Sequence, residues 1–207
     1  VERSRGLGDV YKRQDKEIAK AVANGQRELD DLKPRLASLK SYDRSMYYYY
    51  QSYYNLAYQD KISDAIINYI NVVNEEDTTE KLRVEAYYVL AQLYLSESNY
   101  KSGVDYLLRW FKHTGEIKPD GYVLLGQAYY LLADKESTKS KALASKQKAY
   151  NNVLEAKRLA DEKQIKFREN WYTLLIASMS ELELKEEQVP LYEEILELYP
   201  KKKYFVN

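Results

Sequence analysis

The stretch YVLLGQAYY at 122–130 decides the fold, because its spacing recurs elsewhere in the chain. It begins at Tyr122 and has the form Tyr-x2-Leu-Gly-x2-Tyr. The stretch YYVLAQLYL at 87–95 has the form Tyr-x2-Leu-Ala-x2-Tyr, and it lies 35 residues earlier. Self-similarity at a fixed period of 20–50 residues is typical of stacked repeats, each built from one supersecondary unit. The two stretches therefore predict the first helices of two consecutive helix pairs.

A second helix is predicted after each of these stretches. In the pair that begins at 87–95, Gly103 takes a small-residue position, and Leu107 and Trp110 follow it. A small residue lets two helices approach closely, while the large residues beside it fill the grooves between them. The next pair repeats this pattern with Ala149, Val153 and Ala156.

Two more degenerate pairs extend the pattern in both directions. Upstream, Ala65 takes the small position, and downstream Pro200 closes the last pair. The predicted inward-facing residues of these two pairs are Tyr69, Val72, Tyr172, Leu175, Met179, Tyr192 and Ile195. The same frame puts Tyr53 and Gln188 at small-residue positions.

Local signals mark several helix ends. Asp77 and Glu80 have the spacing of a capping box, with Asp77 as the N-cap. Pro119 suits the first turn of a helix, and Pro34 should end or kink a helix that begins near Asp15. Ser98 and the residue after it predict the turn between the two helices of one pair.

The segment KESTKSKALASK at 135–146 interrupts the third pair. It is about ten residues longer than the turn of such a pair needs. Two structures fit it, a lengthening of the flanking helices or a mobile loop. Its four lysines and single glutamate indicate a solvated protrusion, with contact to an anionic partner or to lipid headgroups as the alternative.

The repeated motif resembles that of the tetratricopeptide repeat (TPR) family, with tyrosine in place of its first tryptophan. The resemblance implies an all-α fold, a right-handed α-solenoid of antiparallel helix pairs. Residues 41–207 would form an array of about four pairs. Residues 15–40 would be an N-terminal helix, either the last helix of a lost repeat or a cap.

In a TPR superhelix the first helix of each repeat lines a concave groove. The frame predicts the groove residues Tyr50, Tyr54, Tyr88, Gln92, Val123, Gln127 and Tyr130. Tyrosine is abundant, with 23 copies against three phenylalanines, and it combines a large contact area with a hydroxyl group. These tyrosines either bind an extended peptide or helix, or pack between the repeats. In MYYYY at 46–50 at least one tyrosine must face outward, because consecutive helical positions point around the whole axis.

Composition argues against several other functions. The 32 basic and 32 acidic residues cancel, whereas nucleic-acid binders usually carry a basic excess. There is no cysteine, and His113, the one histidine, falls at a predicted helix end, where its charge favours the helix dipole. We therefore expect no catalytic residues, no metal site and no cofactor. No apolar run approaches the ~18 residues of a membrane span, so no integral membrane segment is expected.

A closer resemblance covers the chain from about Tyr42 to the end. The segments LAQLYLSESNYKSGVDYLLRWF, PDGYVLLGQAYYLLAD, ENWYTLLIA and LYEEILELYPKKKY look like those of gammaproteobacterial TPR proteins that accompany TonB energy-transduction components. This resemblance implies a periplasmic or cell-envelope scaffold that binds a protein or peptide, including components of the TonB system.

Two alternative functions remain open. A cytosolic TPR adaptor or cochaperone would clamp a carboxylate with basic and asparagine side chains, but the predicted groove holds residues such as Tyr50, Tyr88 and Gln92 at those positions. The other alternative is a TPR appendage of a larger envelope enzyme. The sequence does not predict an oligomeric state.

Two further predictions concern the ends of the chain. All eleven residues of SRGLGDVYKRQ at 4–14 agree with the translation of a transposon-based sequencing adapter, so we expect residues 1–14 to be non-native and non-helical. At the other end, a basic turn and the start of another helix follow Pro200. We therefore expect a metagenomic fragment, with an array truncated at the C-terminus.

Overall fold

The computed structural model describes the backbone of residues 2–200 and the side chains of residues 16–200. Within this range the chain is all-α, as the sequence predicts, and it contains no strand. The α-helices are α1 (Glu2–Leu32), α2 (Ser41–Tyr58), α3 (Ile62–Asn74), α4 (Glu80–Ser96), α5 (Tyr100–His113), α6 (Pro119–Ala133), α7 (Lys139–Glu162), α8 (Glu169–Ser180) and α9 (Val189–Leu198). Short 3₁₀ helices occupy Lys33–Ser38 and Glu186–Gln188.

Helices that follow one another in the chain pack in pairs, with α2 against α3, α6 against α7 and α8 against α9. The chain divides into two compact units, Val1–Leu90 and Ala91–Asn207, with the boundary inside α4. Each unit is described by itself below. Of the helices in the described range, none is both long enough and apolar enough to cross a membrane.

The first helix ends where the sequence predicts but starts earlier. It stops at Leu32, and the 3₁₀ helix that follows has Pro34 in its first turn. The expectation of a non-helical segment at 4–14 is wrong, because α1 runs from Glu2. Each of the two glycines there costs about 1 kcal/mol relative to alanine, which lowers the stability of a helix without forbidding it. The prediction of another helix after Pro200 lies outside the described residues.

The α2–α3 pair has a register one residue away from the predicted one. Ser52, not Tyr53, takes the small position of α2, because Ser52 is fully buried and Tyr53 is 49% exposed. The Ser52 hydroxyl donates to the carbonyl oxygen of Tyr48 at 2.8 Å and lies 3.2 Å from the carbonyl oxygen of Ala65 on α3. Ala65 is fully buried, which confirms its predicted small position.

An extra residue in the turn explains this shift. Thirteen positions separate Ser52 from Ala65, whereas twelve separate Ala91 from Gly103 in the next pair. The turn after α2 contains Asp60 with a φ of 51°, a left-handed conformation that asparagine and aspartate tolerate better than most residues. A spacing copied from the neighbouring pair therefore misplaces α2 by one residue.

The start of α4 is capped by Thr79, so the predicted N-cap at Asp77 is wrong. The Thr79 hydroxyl accepts a hydrogen bond from the Leu82 amide at 3.3 Å. Buried Thr78 donates its hydroxyl to the carbonyl oxygen of Val72 at 2.6 Å. This bond holds Thr78 against the end of α3. As a result α4 begins at Glu80, and not at Thr78 as an N-cap at Asp77 would require.

A bidentate ion pair joins α2 to the end of α3. The Arg44 guanidinium donates from Nε and from a terminal nitrogen to the two carboxylate oxygens of Glu75, both at 2.8 Å. This contact holds the pKa of Glu75 below its ordinary value of 4.5. A carboxylate with a depressed folded-state pKa stabilises the fold above its unfolded-state pKa and loses that contribution as the pH falls through the folded-state value.

We therefore expect Glu75→Gln to lower the thermal midpoint by about 2–4 °C at pH 7 and to matter little near pH 3. The measurement is thermal denaturation of both proteins by circular dichroism between pH 3 and pH 7. Glu162→Gln is the control, since the Glu162 side chain is 59% exposed in its ion pair with Arg158 and surface pairs contribute little. A difference between Glu75→Gln and the original protein that stayed constant with pH would contradict the assigned cause.

The second unit is assembled on small residues, as the sequence predicts. Gly103 of α5 lies against Leu95, and a Cβ atom built on it would stand 2.6 Å from that side chain. Gly126 of α6 is closer still to its partner, since its Cβ would meet Val153 of α7 at 2.5 Å and the backbone oxygen of Ala149 at 3.1 Å. Pro119 starts α6 and His113 ends α5, and both predictions are confirmed.

The core of this unit lies among α7, α8 and α9. Tyr172, Leu175 and Ile195 are fully buried, and Met179 is 3% exposed. The Phe167 ring meets the Tyr172 ring edge to face, with centroids 4.8 Å apart. The inward positions predicted for these residues are confirmed, whereas Tyr192 is 36% exposed.

The insertion at 135–146 lengthens one helix. After a short turn, α7 begins at Lys139 with Thr138 as its N-cap, and it runs for 24 residues. Ser145, from the inserted segment, is buried, while the ammonium group of Lys146 forms an ion pair with Glu181. The predicted lengthening is therefore confirmed for α7, the second helix of the pair, whereas α6 keeps an ordinary length of 15 residues.

Candidate binding surface

A cleft of about 320 Å³ opens between α6 and α8 in the second unit. Its walls come from the same face of each helix, with Val123, Gln127 and Tyr130 on α6 and Thr173 and Ala177 on α8. Further lining residues are Leu131, Asn170, Trp171 and Leu174. Apolar side chains thus form most of the wall and a few amide and hydroxyl groups are interspersed, which is the usual composition of a ligand site.

Trp171 forms the floor of this cleft and is held rigidly. Its side chain is 3% exposed, and its ring meets the Phe167 ring edge to face with centroids 5.2 Å apart. The Arg168 guanidinium lies 4.5 Å from the Trp171 ring centroid, within the range of a cation–π contact. Arg168 also pairs with Asp120 of α6 at 3.1 Å. The floor is therefore preorganised, so a ligand would lose little conformational entropy there.

Tyr130 of α6 also lines the cleft. Burial raises the pKa of its hydroxyl, and the nearby carboxylates of Glu181 and Asp134 raise it further. The Tyr130 hydroxyl is therefore neutral at physiological pH and is able to donate a hydrogen bond. Since Glu181 pairs with Lys146, the inserted segment contributes to the electrostatics around Tyr130.

Three of the predicted groove residues line one cleft. Val123, Gln127 and Tyr130 all border it, although Val123 is only 7% exposed. Gln92, on α4, is exposed and lies outside this cleft. Its place in a groove remains a prediction.

The contribution of α8 to the cleft was missed at the level of sequence. The repeated spacing could have predicted it. On α6, the lining residues Val123 and Gln127 follow the inward residue Tyr122 by one and five positions. The same offsets from the inward residue Tyr172 lead to Thr173 and Ala177, and both line the cleft.

In the first unit the register shift changes the predicted set. Tyr54 is covered by α1, since a Cβ atom on Gly25 would clash with the Tyr54 hydroxyl. Tyr50 is 49% exposed, and Tyr88 is partly buried. Tyr88 precedes the small residue Ala91 by three positions. The residue three positions before the small residue Ser52 is Tyr49, and not the predicted Tyr50.

Tyr49 is fixed by neighbours in its own unit. Its hydroxyl donates to Glu85 of α4 at 2.6 Å, and this hydrogen bond, together with burial, raises the pKa of Tyr49 well above 10. Its ring meets the ring of buried Tyr69 edge to face, at 6.0 Å between centroids. Burial and the charge of Glu85 raise the pKa of Tyr69 to about 12. Both tyrosines are therefore neutral at physiological pH, and buried Tyr69 supports the ring of Tyr49.

The carboxylates of the described residues are mostly on exposed helix faces or in ion pairs. Within residues 16–200 no group of three or more histidine, cysteine, aspartate or glutamate side chains is placed to hold a metal ion. The α6–α8 cleft offers apolar walls, amide and hydroxyl groups and the aromatic ring of Trp171, which are features of a binding site.

No protein-family model and no curated protein matches the sequence of this chain.

Proposed function

We propose that this chain is a non-catalytic protein-interaction scaffold of the TPR type, a right-handed α-solenoid that binds a peptide or helix on the face of its first helices. The observation that carries this proposal is the α6–α8 cleft, in which Val123 and Leu174 flank the buried Trp171 floor. Both helices are the first of their pairs. The recurring Tyr-x2-Leu-Gly-x2-Tyr motif supports the repeat assignment.

The cleft suits one bulky apolar side chain of a bound segment. Its volume of about 320 Å³ lies at the lower end of the range for ligand pockets. A peptide side chain would contact the Trp171 floor, while Gln127 and Asn170 would hydrogen-bond the adjoining main chain. Affinity would come mainly from this buried anchor, as in other interfaces with a central apolar contact.

The cell envelope is the proposed setting. Likeness to the TPR proteins of gammaproteobacteria that accompany TonB components supports it, and so does the lack of cysteine, which fits an oxidising compartment. The partner would then be a protein of a TonB-dependent uptake system. In-cell photo-crosslinking from position 127 tests this, and crosslinks confined to cytosolic proteins would contradict the setting.

The binding proposal is tested with a library of random 12-residue peptides displayed on phage and selected on the whole chain. We expect the enriched peptides to share one aromatic or large aliphatic residue. Ala177→Trp should weaken their binding at least tenfold, because the new indole would fill the cleft that half-buried Ala177 lines.

Ala144→Trp is the matched control for this experiment. Ala144 is exposed on α7 and does not line the cleft, so the same substitution there should leave binding unchanged. Circular dichroism verifies that both variants keep their helicity. The proposal is wrong if no peptide is enriched or if the two variants bind equally well.

A further inference from the structure

A larger cleft lies in the second unit, between α5 and α7. Its volume is about 820 Å³, within the range of ligand sites. Both helices pack on α6, which contributes Tyr129 and Leu132 to the lining. These two residues differ from those that α6 gives to the α6–α8 cleft. The α5–α7 cleft is therefore a separate site that uses other positions of α6.

Both flanking helices present a regular face to the α5–α7 cleft. Their lining residues recur at spacings of three or four positions, as side chains on one face of a helix do. They are Lys101, Val104, Asp105 and Leu108 on α5, and Lys141, Ser145 and Lys148 on α7. Each set spans seven positions, which is about 10 Å or two helical turns. A cleft bordered by two such faces fits a partner helix of about two turns.

The apolar residues of the cleft leave one leucine open to a partner. Leu108 of α5 is 45% exposed, whereas Val104 and Tyr129 are at most 7% exposed. A single exposed leucine is common on protein surfaces and by itself indicates nothing. Leu108, however, lines a cleft together with buried apolar residues. An apolar side chain of a partner would lose its contact with water there, and such central contacts supply much of the affinity of an interface.

The α7 side of the cleft is basic. The stretch of sequence at 137–154 contains four lysines and no carboxylate. Two of these lysines, Lys141 and Lys148, line the cleft, and neither has an ion-pair partner among the described residues. Lys146 of the same helix, by contrast, pairs with Glu181. Lys141 also lies in the first turn of α7, where a positive charge opposes the helix dipole, so helix stability does not account for it.

The carboxylates of the cleft lie elsewhere. Asp105 is on α5, and Glu97 and Glu136 belong to the turns before α5 and α7. The charge of Asp105 adds to the effect of burial, which raises the pKa of the Tyr129 hydroxyl and keeps it neutral. The charge of the cleft is thus asymmetric, with lysines alone along α7 and both signs along α5. Because interfaces match charge to opposite charge, this asymmetry favours a partner that is acidic along one edge.

An anionic membrane surface matches this pattern less well. A bilayer carries its negative charge over its whole surface, so its headgroups would approach the three carboxylates as well as the lysines. A helix with acidic residues along one edge places its charges opposite α7 alone. The charges of the cleft therefore favour a protein segment over anionic lipid.

We propose that the α5–α7 cleft binds an amphipathic helix of a partner protein, whose acidic edge lies against Lys141 and Lys148 and whose apolar side chain contacts Leu108. This site goes beyond the proposed function, because it uses the second helices of two pairs instead of the face of the first helices. It also gives the inserted segment at 135–146 a role, since Lys141 belongs to it. Complementary charge would mainly speed association, while the apolar contact would hold the complex.

The test uses the whole chain and a phage-displayed library of 14-residue peptides with the apolar periodicity of a helix. Their polar positions are randomised equally over glutamate, lysine and glutamine, so the library has no net charge bias. We expect one enriched group to be acidic, with glutamates at three- and four-residue spacings beside a large apolar residue. Calorimetry then measures the Kd of synthetic members of this group. Ala177→Trp should leave their Kd unchanged, which separates them from the peptides of the α6–α8 cleft.

Charge reversal on α7 gives the first pair of variants. Lys141→Glu combined with Lys148→Glu should raise the Kd of the acidic peptides about tenfold or more, because two attractive charges become repulsive. The matched control combines Lys81→Glu with Lys185→Glu, which changes the net charge equally at two exposed positions outside the cleft. Raising the salt concentration from about 50 mM to about 500 mM should weaken binding to the original protein about fivefold, and binding to the α7 variant much less.

Removal of the apolar contact gives the second pair. Leu108→Ser should raise the Kd of the same peptides about tenfold. Leu143→Ser is the matched control, since Leu143 is 56% exposed on α7 and does not line the cleft. Circular dichroism verifies that all variants keep their helicity. If the charge-reversed α7 variant loses helicity, the two serine variants decide the outcome.

Three results would overturn the proposal. They are a selection that enriches no acidic group, equal Kd values for the two charge-reversed proteins, and equal Kd values for the two serine variants. Vesicles of phosphatidylglycerol test the membrane alternative. If they bind the chain with the same dependence on Lys141 and Lys148 and no acidic peptide does, the cleft contacts lipid headgroups and the proposal is wrong.

Discussion

Replacement of Gly126 by leucine is expected to destabilise the second unit by about 3 kcal/mol or more. Gly126 of α6 lies in close contact with α7, since a Cβ atom there would stand 2.5 Å from Val153 Cγ2 and 3.1 Å from the backbone oxygen of Ala149. Val153 is fully buried and β-branched, so its side chain strongly prefers one rotamer in a helix and has little room to move aside. The helices themselves must separate, and the packing of α7 against its other neighbours is lost with them.

The measurement is chemical denaturation followed by circular dichroism at 222 nm. Gly115→Leu is the matched control, because no atom lies within 4 Å of a Cβ built on Gly115. That variant should stay within about 0.5 kcal/mol of the original protein. If Gly126→Leu proved as stable as Gly115→Leu, close approach would not be the reason for glycine at position 126.

Replacement of Tyr172 by alanine is expected to cost about 3–5 kcal/mol. The residue is fully buried, its ring meets Phe167 edge to face, and Lys157 Nζ lies 5.8 Å from the ring centroid. Its hydroxyl donates to Glu194 of α9, which also pairs with Lys157 at 3.0 Å. Alanine would remove the aromatic ring from the centre of the α7–α8–α9 core and the hydroxyl contact to α9 together.

Tyr172→Phe separates the two contributions. It keeps the ring and removes the hydroxyl, and Glu194 retains Lys157 as a partner, so the expected loss is about 1 kcal/mol. Burial, together with the hydrogen bond to Glu194, raises the pKa of Tyr172 well above its ordinary value of 10.0. The hydroxyl therefore stabilises the fold fully below pH 10 and less as the pH rises further. Denaturation at pH 7 and pH 11 measures both effects, and equal losses for the two variants would contradict the role of the ring.

The sequence alone was sufficient for the helix pairs and for most of the residues that hold them together. Ala65, Gly103, Gly126 and Leu175 are buried where the repeated spacing places them. This worked because a period of 3.6 residues identifies the buried face of each helix, and a small residue on that face marks where the next helix crosses. Both signals are contained within a few turns of chain.

The register of α2 could not be predicted from the same signals. A single extra residue in the turn around Asp60 shifts the small position from Tyr53 to Ser52, and the candidate surface tyrosines shift with it. The start of α4 differs for a similar reason, since the Thr78 hydroxyl bonds back to α3 and delays the helix. Turn geometry and side-chain hydrogen bonds outweigh the repeated spacing at these places. One capping hydrogen bond stabilises a helix end by about 1 kcal/mol, which is comparable to the differences in helix propensity summed over one turn.

The candidate sites were decided by the tertiary structure. Val123 and Trp171 are 48 positions apart, and only the packing of α6 beside α8 brings them into one cleft. Periodicity states which face of a helix is buried, whereas the neighbour that covers the face, and the hydrogen bonds it satisfies, follow from how the helices meet in space.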